Sequence, residues 1–299
     1  MRNCRNIQEE NLVYAKRFLH YLLLICAGVL LCTALAVPAE SAGFKRIVRI
    51  RDAKIVTFDQ MMNDIRGANL VFVGENHNDI RSHEAQLSVI KALHKAKVPL
   101  AVGLEMFRAD AQKALNRWTT GTLNLEDFMK VYYDNWDLPW HLYQDIFLYT
   151  KNYGIPMIGL NVSPEITHKV SQNGFASLTA DEIRQLPPGI SCDVDDQYRD
   201  FIKQAYEAHH GSGKSFTHFC EAQMIWDKVM AWRLLDYAGK NTGATVVVLA
   251  GNGHSWKRGI PGQVKKSSNL SYKVILTELP EHTRGEATTT ADADYVYLE

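Results

Sequence analysis

Four segments of the chain set a polar or ionisable residue directly after an apolar run. Leu70-Val71-Phe72-Val73 leads into Gly74-Glu75-Asn76-His77, and Leu100-Ala101-Val102 into Gly103-Leu104-Glu105-Met106-Phe107. A third run ends Gly159-Leu160-Asn161, and Val246–Ala250 leads into Gly251-Asn252-Gly253-His254. A charge at the end of a buried run is costly unless it has partners. If the runs are parallel strands, their carboxyl ends share the edge where open α/β sheets bind ligands. Two carboxylates (Glu75, Glu105), two imidazoles (His77, His254) and the amide of Asn161 then converge on one crevice, with groups suited to acid/base work. His83 and Gln86, three residues apart, share one face of the following helix, and His83 is expected to look back toward this edge. Asn252 stands in a Gly-Asn-Gly turn that lets backbone approach closely.

Other signatures are missing. No His-Glu-x-x-His helix and no Gly-x-Ser-x-Gly elbow occurs, which removes the common zinc-peptidase and serine-hydrolase readings. No Cys-x-x-Cys-His occurs, which excludes covalent c-type haem. Gly213-Lys214-Ser215 mimics the end of a phosphate-binding loop, but Ala208 stands where that loop needs glycine. His209, His210 and His218 flank this glycine-containing loop, either as metal or haem-iron ligands or as solvated side chains. Tyr132, Tyr133, Trp136, Trp140, Tyr143 and Tyr149 form an aromatic stretch, read as the packing face of a helical cover that could also wall a flat cofactor.

The elements that must position these groups follow from periodicity. Short runs rich in Val, Ile and Leu predict strands over 70–74, 100–106, 156–162, 245–250 and 272–279, with a further one at 45–50. Helical spacing covers 80–96, 138–152, 195–209 and 216–237. The alternation predicts an α/β fold, a mostly parallel central sheet flanked by helices. The long interval before the last core strands predicts an inserted helical subdomain over about 163–240, covering one end of the sheet. The polar stretch from 281 reads as a tail, with Tyr295–Leu298 as an edge strand.

Thirty-three Lys and Arg balance thirty-three Asp and Glu, so no charge excess argues for nucleic acid. Lys16 and Arg17 precede an apolar run from Phe18 to Val37, and Val37-Pro38-Ala39 offers small residues for cleavage after Ala39. Residues 1–39 therefore read as an export signal, or as a retained anchor long enough to span a bilayer. The expected location is the periplasm or the membrane-associated cell envelope. Cys26 and Cys32 follow Ile25 and Leu31, a poor context for lipid attachment. Cys192 and Cys220 remain beyond the signal, either paired or as buried thiols.

Taken in order, Val73-Gly74-Glu75-Asn76-His77, His83, Gln86, Gly103-Leu104-Glu105-Met106-Phe107 and Gln112 resemble the ChaN-type haem-binding uptake family. That family lies in the wider Tiki/erythromycin-esterase-like superfamily. Gly159-Leu160-Asn161, His209-His210-Gly211, Ala222-Gln223, Asp227, Ala250-Gly251-Asn252-Gly253-His254 and Gly259-Ile260-Pro261 continue the likeness, which spans residues 50–280. The resemblance implies a cell-envelope protein that binds haem non-covalently for haem and iron uptake. An outer-membrane haem receptor and a homodimer are its implied partners. It implies Tyr or His as axial ligand, with Tyr132, Tyr133, His209 and His210 as the candidates on the helical cover. Superfamily enzymes imply the alternative, a metal-dependent hydrolase in which Glu75, His77, Glu105 and His254 are catalytic. Glu75, His77 and His254 would hold a divalent metal, and His83, Gln86, Asn161 and Asn252 would support the pocket.

Overall fold

The computed structural model describes residues 46–209, 215–279 and 288–298. The segment expected to be an export signal, His210 and the side chain of His209 lie outside the described residues. Each apolar run becomes a strand, and one unforeseen strand, β2, joins them: β1 (Arg46–Arg49), β2 (Lys54–Val56), β3 (Leu70–Glu75), β4 (Leu100–Arg108), β5 (Met157–Asn161), β6 (Thr245–Gly251), β7 (Tyr272–Leu276) and β8 (Tyr295–Leu298). They form one sheet in the order β2-β1-β8-β7-β3-β6-β4-β5. Every pairing from β8 to β5 is parallel, and β1 runs antiparallel to both β8 and β2.

One expectation changes here. Tyr295–Leu298 is an inner strand between β7 and β1, and not an edge. The β1–β2 hairpin forms the edge, and β2 is only three residues long, too short to show as a run. Lys54 on this edge strand discourages further strand pairing.

The helices are α1 (Phe58–Ile65), α2 (Ile80–Lys95), α3 (Gln112–Thr119), α4 (Leu125–Asn135), α5 (Trp140–Tyr153), α6 (Pro164–Asn173), α7 (Ala180–Ile183), α8 (Asp196–His209), α9 (Phe216–Lys240), α10 (Asn252–Ser255) and α11 (Ile260–Ser267). Thr57 and Gln60 close a capping box at the start of α1, Asp79 caps α2, and Gly154 in the left-handed conformation ends α5.

Side chains alternate across the sheet, so each strand feeds two cores. Val71, Val73, Val102, Leu104, Val247 and Leu249 face α1 to α5, where Trp118, Phe128, Tyr132, Trp140 and Phe147 stack edge and face. Leu70, Phe72, Ala101, Val246, Val248 and Val274 face α6, α8, α9 and α11. The 163–240 segment thus lays a full helical layer on one face of the sheet. Its α8 and α9 also reach the carboxyl ends of the strands. Cys192 and Cys220 are disulfide-bonded, with Cα atoms 5.5 Å apart, and tie the loop before α8 to α9. Among the described residues no helix is long and apolar enough to cross a membrane.

Candidate functional site

The site is built around the end of β6. Its parallel neighbours β3 and β4 put Glu75 and Glu105 beside the β6 terminus, with Glu75 in register with Gly251. Space at 251 is tight. A Cβ there would stand 3.0 Å from His77 Cε1, 3.2 Å from His77 Nε2 and 3.8 Å from Glu105 Oε2. The β6 terminus is therefore flanked by the side chains of its two neighbours.

Glu75 lies on the α2–α5 side. The Tyr143 hydroxyl donates to its Oε1, and Gln86 Nε2 donates to its Oε2 at 2.7 Å. His77 Nδ1 is 2.7 Å from Oε1, and His83 Nε2 is 3.7 Å away. His83 is buried against the Tyr143 ring, with centroids 4.0 Å apart and no hydrogen bond at either ring nitrogen. Burial alone would push the Glu75 carboxyl up. The His77 bond, with the nearby His83 and His77 rings, outweighs burial and holds it well below the usual carboxylate range. The same carboxylate, together with burial, pushes the Tyr143 phenol far up, so it stays a donor.

A second array occupies the opposite face. His254 Nδ1 is 2.7 Å from Asp227 Oδ1, and the Tyr198 hydroxyl donates to Asp227 Oδ2. His254 Nε2 faces Glu105 Oε1 at 3.8 Å, while Glu105 Oε2 accepts the Gly251 N–H at 2.6 Å. Burial pushes the His254 imidazolium down, but the Glu105 and Asp227 carboxylates win and raise it to about 9. His77 is raised too: burial opposes, Glu75 and Glu105 favour the cation, and His254 repels it. Both imidazoles thus hold protons more firmly than a free histidine.

The supporting residues fall where the sequence suggests. Asn161 Nδ2 donates to the Glu105 carbonyl at 2.8 Å. Asn252 Oδ1 accepts the Thr277 N–H at 3.0 Å, and only glycine at 74 leaves room for that side-chain amide. A groove of about 540 Å³ opens over these groups, with His77, His254 and Asn252 opposite Phe201, Ala205 and Leu279. Trp136 meets the His77 ring edge to face at 5.1 Å.

The ligand candidates separate sharply. Tyr132 is 0% exposed and its hydroxyl donates to the Leu138 carbonyl at 2.8 Å, so it is a core residue with no face for a ligand. Tyr133 is 48% exposed, and its hydroxyl oxygen accepts the Trp140 N–H at 3.2 Å. His209 contributes backbone to the end of α8, and its side chain and His210 lie outside the described residues. Among the described residues no group of three or more His, Cys, Asp or Glu could hold a metal ion. The divalent site expected of Glu75, His77 and His254 thus gains no support among the described residues. Each imidazole turns its Nδ1 to its own carboxylate, and the two arrays lie on opposite faces of the sheet.

Asp227, Tyr143 and Tyr198 complete the site, although strand-end reasoning does not single them out for it. Asp227 carries a usable signal: a lone carboxylate among Met224, Ile225, Val229 and Met230 in an apolar helix demands a cationic partner. The tyrosines carry none, since their hydroxyls meet carboxylates 68 and 29 residues away.

Comparison with known proteins adds the following. No curated protein sequence matches. ChaN of Campylobacter jejuni, solved with cofacial haem, shares the fold: 18% identity, 86% of this chain, 96% of that chain, TM-score 0.65. A mutant of the erythromycin esterase EreC, solved in its open conformation, aligns at 13% identity over 83% of this chain and 81% of that chain, TM-score 0.48. The type III effector HopBA1 aligns at 14% identity over 87% of this chain and 98% of that chain, TM-score 0.46. The family model described as haem-binding uptake, Tiki superfamily, ChaN matches residues 61–264, and the chain belongs to that family.

Proposed function

We propose that this protein binds haem non-covalently at the carboxyl edge of the sheet and serves haem uptake in the cell envelope. The observation that carries the reading is Tyr133. Of the four residues offered as axial ligand, it alone combines a described side chain with an accessible phenol. The Trp140 N–H donates to its oxygen, and a tyrosine oxygen is one of the ligands that hold haem iron. The donor set fits haem in other respects. Phe201 and Leu279 give the groove apolar surface, and the proton-holding His77 and His254 are cationic partners for propionates. Haem, when bound, supplies an iron centre that this chain carries; Tyr133 would hold it and the imidazoles would orient it.

The Cys192–Cys220 bond supports an oxidising compartment, which is what the N-terminal export pattern leads to. Delivery from an outer-membrane receptor and a haem-linked homodimer belong to the same reading.

Hemin titration of the mature protein tests it. A saturable Soret band that Tyr133→Phe abolishes is the expected result. No Soret change in the unaltered protein overturns haem binding, and an unchanged spectrum in Tyr133→Phe overturns the ligand.

A second reading rests on a separate observation, the two complete tyrosine–carboxylate–imidazole arrays. A haem carrier has no need of them, whereas acid/base hydrolysis does. In that reading the cationic His254 polarises a carbonyl and His77, oriented by Glu75, moves the proton. Turnover of chromogenic carboxylic esters that His77→Ala removes, with the Soret band intact, would establish it. No turnover on such a panel would count against it.

A further inference from the structure

A second cavity, of about 560 Å³, opens on the α11 face of the molecule. Lys257, Arg258, Gln263, Lys265, Lys266 and Tyr272 line it, and Asp195 is the one acid among its lining residues. In a chain with no net charge this is a marked local excess of cations. Two of the four are already matched. Lys257 bonds Asp294 and the Thr290 carbonyl, each at 2.9 Å, and Arg258 bonds Asp195 and Gln197. Lys265 and Lys266 are exposed at its rim, with neither an ion pair nor a hydrogen bond among the described residues. The crowding reaches behind the wall: burial and the Lys266 charge push the neighbouring Lys228 ammonium down, against the pull of Asp193.

Gln263 is the independent observation. It is only 7% exposed, lines the cavity, and its side-chain amide makes no hydrogen bond among the described residues. A side chain this deeply buried, with an amide that no described protein group bonds and that opens to a cavity shared with two free ammonium groups, is arranged for a ligand that accepts several hydrogen bonds and carries negative charge.

We propose that this cavity binds a phosphate group, free or carried as a phosphate monoester. Lysine ammoniums are compact donors that suit a tetrahedral oxyanion, whereas the planar fork of Arg258, the natural partner of a carboxylate, is already occupied. Gln263 would donate from below, and Tyr272 and the aliphatic lysine stems would flank the body of an ester.

Calorimetric titration of the mature protein with inorganic phosphate, glycerol 3-phosphate and acetate, against sodium chloride at matched ionic strength, tests the site. Saturable binding of either phosphate is expected, and the tighter of the two identifies the source. Lys265→Ala/Lys266→Ala should weaken it about tenfold or more, since each lost charged hydrogen bond is worth about that much. Gln263→Leu should weaken it as well, and the exposed lysine pair keeps the test decisive if the buried variant fails to fold. Heat no greater than chloride produces, acetate binding as tightly as phosphate, or full binding in the lysine double variant would each overturn the proposal.

Discussion

The Glu75 and Asp227 arrays use the same parts on opposite faces of one sheet, yet they hold their imidazoles differently. Glu75 ends a strand and is saturated: Tyr143, Gln86 and His77 bond it, and His83 closes the remaining side. Its imidazole reaches outward, with 37% of the His77 side chain exposed. Asp227 comes from the middle of a helix and has two partners, while His254 is half as exposed as His77, at 18%, and faces a second carboxylate, Glu105. A strand-end acid with a crowded shell yields an accessible imidazole. A helix-borne acid opposed by another acid yields a fixed cation. The lesson is that exposure of the imidazole, and the number of acids facing it, separates a group that can exchange protons or meet a ligand from one that supplies steady charge.

The comparison breaks most severely at Glu75. Glu75→Ala takes the acceptor from the Tyr143 hydroxyl, the charge partner from His77 and one of two acceptors from Gln86 Nε2, and should cost about 3–5 kcal/mol in denaturant unfolding. Glu75→Gln, which keeps the volume, should cost clearly less. Next comes the charge state of His254. Asp227→Asn removes one of the two acids that raise it, so its NMR titration should move from about 9 back toward the ordinary 6.5. The sign for stability follows. The His254 contribution is complete below 6.5 and fades as pH rises through about 9. The Glu75 contribution is complete above its ordinary 4.5 and is lost as pH falls below it. Unfolding measured from about pH 6 to 10 should therefore show a loss on the alkaline side that Asp227→Asn reduces.

Gly251→Ala tests the point where the arrays meet. Its methyl would press on His77, and overpacking of this kind costs about 1–3 kcal/mol. The His77 ring resonances should shift more than those of His254. The phenols should give effects of similar size. Tyr143→Phe and Tyr198→Phe each remove one donor to a buried carboxylate, worth about 1.5–3 kcal/mol at most. Tyr198→Phe should be the costlier of the two, because Asp227 has fewer partners in reserve.

Much of this is legible in the sequence, for physical reasons. Strands buried on both faces must be continuous apolar runs, so β3, β4, β5 and β6 announce themselves, and with them the polar residues at their ends. Glu75, His77, Glu105 and His254 can therefore be picked out together. What local pattern cannot carry is distance. That Tyr143 serves Glu75, that Tyr198 serves Asp227, and that β8 inserts beside β7 depend on contacts across tens to hundreds of residues. Tyr132 and Tyr133 show the same limit at its sharpest. They are adjacent in the same helix, so composition treats them alike, yet the turn of α4 buries one in the aromatic core and exposes the other.

The order of strands also has a consequence for how the protein is made. β6 stands between β3 and β4, but it begins at Thr245, 84 residues after β5 ends at Asn161. A ribosome that has released residues 1–240 has already delivered Glu75, Glu105 and Asp227, without the strand that sets them in register or the imidazole of His254. Until that strand inserts, the acids that will later be buried remain in water and the two sides of the crevice have no common wall. Pairing across such separations is the slow part of folding an α/β chain. The site is thus a late product of synthesis, and its strongest charges are withdrawn from solvent only when their partners arrive.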